Sequence, residues 1–277
     1  MLYICVNNQL LLTIMKDKKV LFVSSEVFPY VARNEVSSHA FDSAKSVHSK
    51  GGKIRIFTPR YGVINERRNQ LHEVIRLSGM NLVINDSDMP LIIKVASIPR
   101  QGMQVYFIDN EDYFKRKALF TDKNDQLFAD NDERAIFFAK GVVETVKKLI
   151  WAPDVIQIDG WMSSLLPLYI KNYYKDEPLF SNCKIVTTLH NSSFEGPLSD
   201  NLIEKVKFDG IEESKITSLS NATHNNLLIN AIENSDAVVN PYGIWDSEIM
   251  KTIENNNIPV LESLEEEIDA PSLVGAI

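Results

Sequence analysis

Lys19-Val20-Leu21-Phe22-Val23-Ser24, an amphipathic stretch from about Val36 to Lys50, then Gly51-Gly52 and Lys53-Ile54-Arg55-Ile56-Phe57-Thr58, are the residues on which the fold turns. The first run is continuously apolar, rich in β-branched residues and of strand length, which suits a strand buried on both faces of a parallel sheet. The stretch after it has helical periodicity, and the glycine pair stops it. Strand, helix and strand make one βαβ unit. Such units are right-handed, and ligands lie in the crevice outside the carboxyl ends of their strands.

The same alternation continues outward. A long helix is expected from about Asp132 to Leu149, because Ala135, Ile136, Phe138, Ala139, Val142, Val143 and Val146 recur at helical spacing. Asp154 to Ile158 reads as a strand, Trp161 to Tyr174 as a helix, Cys183 to Leu189 as a strand, Asn225 to Asn234 as a helix and Ala237 to Val239 as a strand. Apolar runs at Leu71 to Leu77, Asn81 to Ile84, Leu91 to Ile98 and Val105 to Ile108 are spaced like inserted antiparallel strands or hairpins. The expected fold is α/β: one Rossmann-like, doubly wound, mainly parallel sheet with an antiparallel insertion. It occupies residues 15–256, with 1–14 a non-core extension, Met15 the functional first residue, and 257–277 an acidic tail after a last helix near Gly243 to Asn256. That leaves no room for a second full α/β domain.

Composition narrows the function. With 277 residues, 44% hydrophobic and 24% charged, the chain can bury a core, and a net charge of -8 argues against a nucleic-acid or anionic-membrane partner. Leu2 to Ile14 is too short and too interrupted to span a bilayer. Cys5 and Cys183 build neither a disulfide framework nor a thiolate metal site, which fits a cytoplasmic protein. Seven Lys or Arg between Lys45 and Arg68 face only Glu66, a pattern of a solvated helix face or of an anion-seeking surface. Asp86-Ser87-Asp88 reads as a turn. Asp130-Asn131-Asp132-Glu133 reads as the capping of a helix start. His39, His48, His72 and His224 lack metal spacing and read as surface or helix residues, so neither metal nor cofactor is expected. His190 differs: it closes a strand and opens the loop Asn191-Ser192-Ser193-Phe194-Glu195-Gly196, where capping the strand and contacting a ligand are both open. Gly160-Trp161-Met162-Ser163-Ser164 lacks the glycine offsets of a nucleophile elbow, and no triad is visible.

Several blocks fall in a familiar order. Val20 to Tyr30, with its Ser-Glu-Val-x-Pro, resembles the opening of bacterial glycogen synthases and plant starch synthases. Thr58-Pro59-Arg60-Tyr61-Gly62, Val105 to Asp109, Asp130 to Arg134, Asp154 to Trp161, Thr188 to Asn191 with Gly196, and Ser235 to Pro241 resemble later blocks of that family, over nearly all of Lys19 to about Met250. The resemblance implies the acceptor-side half of a GT-B glycosyltransferase, whose family transfers glucose from ADP-glucose or UDP-glucose to an α-1,4-glucan. It does not extend to the domain that supplies most of the nucleotide pocket.

Departures from the family pattern fall at the chemistry. Where the family reads Lys-Thr-Gly-Gly-Leu, this chain has Ala32, Arg33, Asn34, Glu35 and Val36. Glycines let backbone N–H groups approach a diphosphate and the lysine neutralises it, whereas Glu35 adds a carboxylate there. The family's His-x-His-Asp-Trp is Gln157-Ile158-Asp159-Gly160-Trp161, so Asp159 stands at the active-site histidine and can only accept where an imidazole donates. The resemblance therefore implies a catalytically degenerate domain, with Asp159 as the altered catalytic position and Trp161, His190, Asn191, Phe194, Glu195 and Gly196 contacting sugar. Its expected partners are an α-glucan or maltooligosaccharide and a separately encoded C-terminal half. Two alternatives stand beside it: an active glucosyltransferase completed by that second half, and an interaction module that has lost sugar recognition.

Overall fold

A computed structural model describes residues 17–244 and 246–261. The extension 1–14, Met15, Cys5 and the tail beyond residue 261 lie outside the described residues.

Ten strands form the sheet: β1 (Lys19–Ser24), β2 (Lys53–Pro59), β3 (His72–Glu73), β4 (Met80–Ile84), β5 (Ser87–Ser97), β6 (Gln104–Asp109), β7 (Val155–Asp159), β8 (Lys184–Thr188), β9 (Ala237–Val239) and β10 (Val260–Leu261). Their order is β10-β9-β8-β7-β1-β2-β6-β5-β3, with β4 paired to β5. Strand β1 pairs in parallel with β2 on one side and β7 on the other, so the connections diverge there. This is the switch point at which doubly wound sheets open a ligand crevice. As its composition requires, β1 is covered from Val20 onward, and Leu21, Phe22 and Val23 expose nothing. Helices α1 (Glu35–Ser49), α2 (Glu111–Phe114), α3 (Asn131–Leu149), α4 (Leu166–Leu168), α5 (Leu202–Phe208), α6 (His224–Glu233) and α7 (Ser247–Asn255) complete the fold.

Four local readings are corrected. Strand β6 is not part of a purely antiparallel insertion; it runs parallel to β2 and antiparallel to β5, which makes it the hinge between the two sheet types. The turn at the acidic triplet is Asn85-Asp86, with Asn85 at φ +56°, and Ser87 and Asp88 already belong to β5. Trp161 to Tyr174 is a 3₁₀ turn (Trp161–Ser163), the short α4 and a π turn (Tyr169–Tyr173) rather than one regular helix. Pro167 sits in the first turn of α4, where its missing N–H has no intrahelical partner to lose. Residues expected in the acidic tail contribute β10, which extends the parallel sheet beside β9.

Helix α3 is buried along most of its length, and the carboxylates at its start are held mainly by cations, although Asp132 Oδ1 also accepts from Glu133 N at 2.7 Å. Asp130 makes no side-chain cap bond and pairs with Arg116, while Lys205 of α5 reaches both Asp132 and Glu133. Arg134 is fully buried among the rings of Tyr61, Phe114 and Phe128 and donates to Asn131 Oδ1 and to the carbonyl of Leu119. The block Asn131-Asp132-Glu133-Arg134 therefore ties the loop before α3 to the core. Cys183 is a buried free thiol, pushed up to about 11 by burial. Among the described residues no helix is long and apolar enough to cross a membrane.

Candidate functional site

Three loops, 25–34 after β1, 160–165 after β7 and 189–201 after β8, meet at the carboxyl edge of the sheet. After β1, Ser25 N donates to the carbonyl of Asp159 (2.8 Å), and its Oγ accepts from Met162 N (2.9 Å), so the first and second loops are bonded at their bases. Gly160 permits this approach. Its φ is +76°, and a Cβ there would lie 2.6 Å from Ser25 Oγ. Tyr61 pins the same turn by donating to the Ser25 carbonyl at 2.8 Å.

Asn34 and Glu35 have well-defined partners. Asn34 is the N-cap of α1: its Oδ1 accepts from Ser37 N (2.8 Å), and Ser37 Oγ accepts from Asn34 N (2.9 Å), a reciprocal capping box. Asn34 Nδ2 also donates to Glu26 Oε2 at 2.6 Å. Burial pushes the Glu26 carboxyl up, only partly offset by that bond and by the charge of His190. Glu35 reaches across to the third loop and accepts from both the backbone and the side-chain amide of Asn191. Arg33 does not fold back into the crevice; its guanidinium lies over the Phe28 ring, 4.4 Å from the centroid. Ala32 is exposed and offers its carbonyl to Ser37 Oγ.

At the centre stands Asp159, fully buried at the end of β7. Its Oδ1 accepts from His39 Nδ1 (2.6 Å) and from His190 Nε2 (3.0 Å), and its Oδ2 lies 3.3 Å from the donating Nε2 of Gln157. Burial alone would push this carboxyl up. The facing His39 and His190 reverse the effect and hold it well below the ordinary carboxylate range. For His190 burial acts downward, and Asp159 and Glu35 outweigh it, so the imidazole holds its proton to higher pH than usual. Glu35 is likewise pushed up by its partial burial and brought down further by His190 and Asn191. A chain of contacts thus runs Glu35, His190, Asp159, His39. Tyr242 covers it, its ring 5.7 Å from that of His190 and 6.4 Å from that of His39.

His39, expected at the surface or on a helix, lies on α1 but is buried, and its bond to Asp159 was not anticipated from the sequence. It is buried with Asp159 and His190, and these three can converge on one metal ion. A signal existed: Glu35 and His39 are four apart on α1 and so share a helix face. His224, expected at the surface or on a helix, begins α6 and is buried against Phe194. His48 and His72 are exposed, as expected.

Of the sugar-contact candidates, Trp161 is buried between Phe120 and Phe194, at 4.8 and 5.1 Å between ring centroids, and presents little open face. Asn191, Glu195 and Gly196 are exposed and Phe194 half-buried, so the third loop carries the accessible polar groups. The basic residues between Lys45 and Arg68 are spread over several elements. Arg55 bonds Tyr106 and stacks on Trp151, and Arg60 pairs with Glu66 and with buried Asp109.

Comparison with known proteins agrees with this architecture. Residues 19–250 match the family described as the starch synthase catalytic domain. A glycogen synthase of Chlorobium luteolum is 35% identical over 238 residues, covering 85% of this chain and 48% of that protein. One from Chlorobium phaeobacteroides is 38% identical over 194 residues, covering 69% of this chain and 39% of the other. The catalytic domain of Starch Synthase IV from Arabidopsis thaliana, solved bound to ADP and acarbose, superposes with a TM-score of 0.72 at 16% identity, covering 90% of this chain and 52% of that one. The chain spans about half the length of the curated relatives it matches.

Proposed function

The chain belongs to the starch synthase catalytic domain family, and from that premise we propose that it is an acceptor-side, glucan-binding domain of cytoplasmic glucan metabolism that does not transfer glucose by itself. The observation that carries this reading is the occupancy of the turn before α1. Asn34 is committed to a capping box and Glu35 to Asn191, so the amides that would meet a diphosphate stand beside a carboxylate. No lysine stands at Ala32. Loss of charge-assisted contacts worth about 4 kcal/mol in total weakens a ligand roughly a thousandfold. At the other altered position Asp159 is buried and saturated by donors, and it has no hydrogen to offer a transferred sugar. The exposed third loop retains groups suited to glucose hydroxyls in Asn191 and Glu195, with Phe194, backed by Trp161, as the apolar wall.

Isothermal titration of the unmodified chain tests the reading. Maltooligosaccharides are expected to bind, and Glu195→Ala to weaken them without lowering thermal stability. ADP-glucose and UDP-glucose are expected to show no saturation at millimolar concentration. Micromolar affinity for either nucleotide, or glucan extension by the purified chain, would overturn it. The half-length match supports a second reading, in which a separately encoded nucleotide-binding half completes an active enzyme. Glucan extension appearing only when such a half is added would select that reading.

A further inference from the structure

The crevice has inverted its electrostatics. Three carboxylates, Glu26, Glu35 and Asp159, now gather where the family loop is built for an anion, and two imidazoles stand among them. We propose that His39, Asp159 and His190 form a binding site for a divalent transition-metal ion of the zinc type, with Glu35, Ser43 and Gln157 orienting the three ligands.

The donor set comes first. Two imidazole nitrogens and one carboxylate oxygen, with a fourth position left for water or a ligand, is the three-residue pattern of open zinc sites. The candidate ligand atoms lie within 4.8 Å of one another, and the shared contacts to Asp159 Oδ1 are 2.6 and 3.0 Å. A small relaxation outward would admit an ion with bonds of about 2.0–2.1 Å.

The second observation is what stands behind each ligand. A metal-bound imidazole must carry its hydrogen on the far nitrogen, and that N–H is normally held by a carboxylate or another acceptor. Without metal, Asp159 draws the hydrogens to His39 Nδ1 and His190 Nε2. With metal, the far nitrogen of each ring must carry the hydrogen, and beside each stands an oxygen that can be drawn in to accept it. His190 Nδ1 faces Glu35 Oε1 at 3.5 Å, and His39 Nε2 faces Ser43 Oγ at 3.5 Å. The remaining oxygen of Asp159 keeps the Gln157 amide at 3.3 Å. His39 Nε2 then has Ser43 Oγ as its acceptor, whereas His190 Nδ1, buried and without a hydrogen-bond partner, needs Glu35 to close on it.

Charge and access complete the case. The carboxylates of Glu35 and Asp159, both in contact with His190, favour a dication. The cluster lies one ring beneath the surface, under Tyr242, which is 40% exposed. Glu35, on the same rim, is bonded to the exposed Asn191. An ion would enter between these groups.

The test is titration of the full chain with Co²⁺, followed by visible absorption, with Zn²⁺ as competitor. About one Co²⁺ per chain is expected, with the intense bands of a four-coordinate site, and Zn²⁺ should displace it. His39→Gln and His190→Gln should abolish saturable binding. Glu35→Gln alters a side chain at the rim and so keeps the fold intact; it should weaken binding by roughly 10–100-fold, the usual effect of losing a group that orients a ligand. Far-ultraviolet circular dichroism checks folding of each variant. Should a histidine variant fail to fold, the Glu35→Gln result decides. Absence of saturable binding to the unmodified chain, or unchanged affinity in any folded variant of the three, overturns the site. Neither outcome depends on whether glucan binds.

Discussion

Gly160 is the residue at which this chain has moved furthest from simple restoration. Its φ of +76° and ψ of 159° place it in a region open essentially to glycine, and a Cβ would meet Ser25 Oγ at 2.6 Å, Ser25 Cβ at 2.9 Å and Val36 Cγ1 at 3.0 Å. Ser25 cannot give way cheaply, because its Oγ holds Met162 N and its own N–H holds the Asp159 carbonyl. Replacing Gly160 with aspartate, the family residue, should therefore destabilise the domain by about 1–3 kcal/mol through the backbone alone. Urea denaturation of Gly160→Asp and Gly160→Ala should show similar losses, since the strain begins at Cβ. Equal stability of Gly160→Ala and the unmodified chain would mean that the two loops are not held this close. The exchange of histidine for Asp159 was legible from the sequence, because the flanking Ile158 and Trp161 fix its position. Its partner His39 was not, because a histidine inside an amphipathic helix has no local pattern separating a buried ion-pair partner from a surface residue.

At the scale of elements, α1 begins with a local solution that needs no glycine. Asn34 and Ser37 satisfy each other's backbone N–H groups, and Glu35 places a negative charge in the first turn, where the helix dipole favours it. Asn34→Ala should lower stability by about 1 kcal/mol, as measured by the shift of a urea midpoint, because it removes the cap acceptor for Ser37 N. A loss below a few tenths would mean that water replaces the cap. The elements around α1 were readable because their patterns are plain: β1 has an unbroken apolar run, β2 is rich in β-branched residues behind a glycine pair, and α3 keeps helical spacing from Ala135 to Val146. What stayed hidden follows from the same cause. An alternating pattern does not encode direction, so β6 could not be assigned as parallel to β2 while antiparallel to β5. The two residues of β10 carry no pattern at all and are recruited by the open edge of β9.

Across the whole molecule, a buried ion pair within the helical layer also reaches the antiparallel insertion. Lys140 on α3 contacts Asp209, just after α5, at 2.6 Å, and it also donates to the carbonyl of Val83 in β4 at 2.7 Å. Tyr169 donates to the other Asp209 oxygen at 2.6 Å, and burial, followed by the charge of Asp209, raises that phenol well above its ordinary range, so it stays a donor. Both charged side chains are about nineteen-twentieths covered, at 4% and 5% exposure, so solvent screens them little. A pair of this kind is poor evidence for net stability, since desolvating two ions offsets most of their attraction, but breaking it strands a charge. Asp209→Asn keeps the shape and leaves the Lys140 ammonium without its counter-charge, and should cost about 3–5 kcal/mol. Lys140→Met combined with Asp209→Asn removes the stranded charge and should recover part of that loss. Urea unfolding of the two variants and the unmodified chain measures both quantities. If the single variant costs less than about 1 kcal/mol, the value of a solvent-exposed pair, then water reaches the junction and the insertion is not clamped to the helices through this contact.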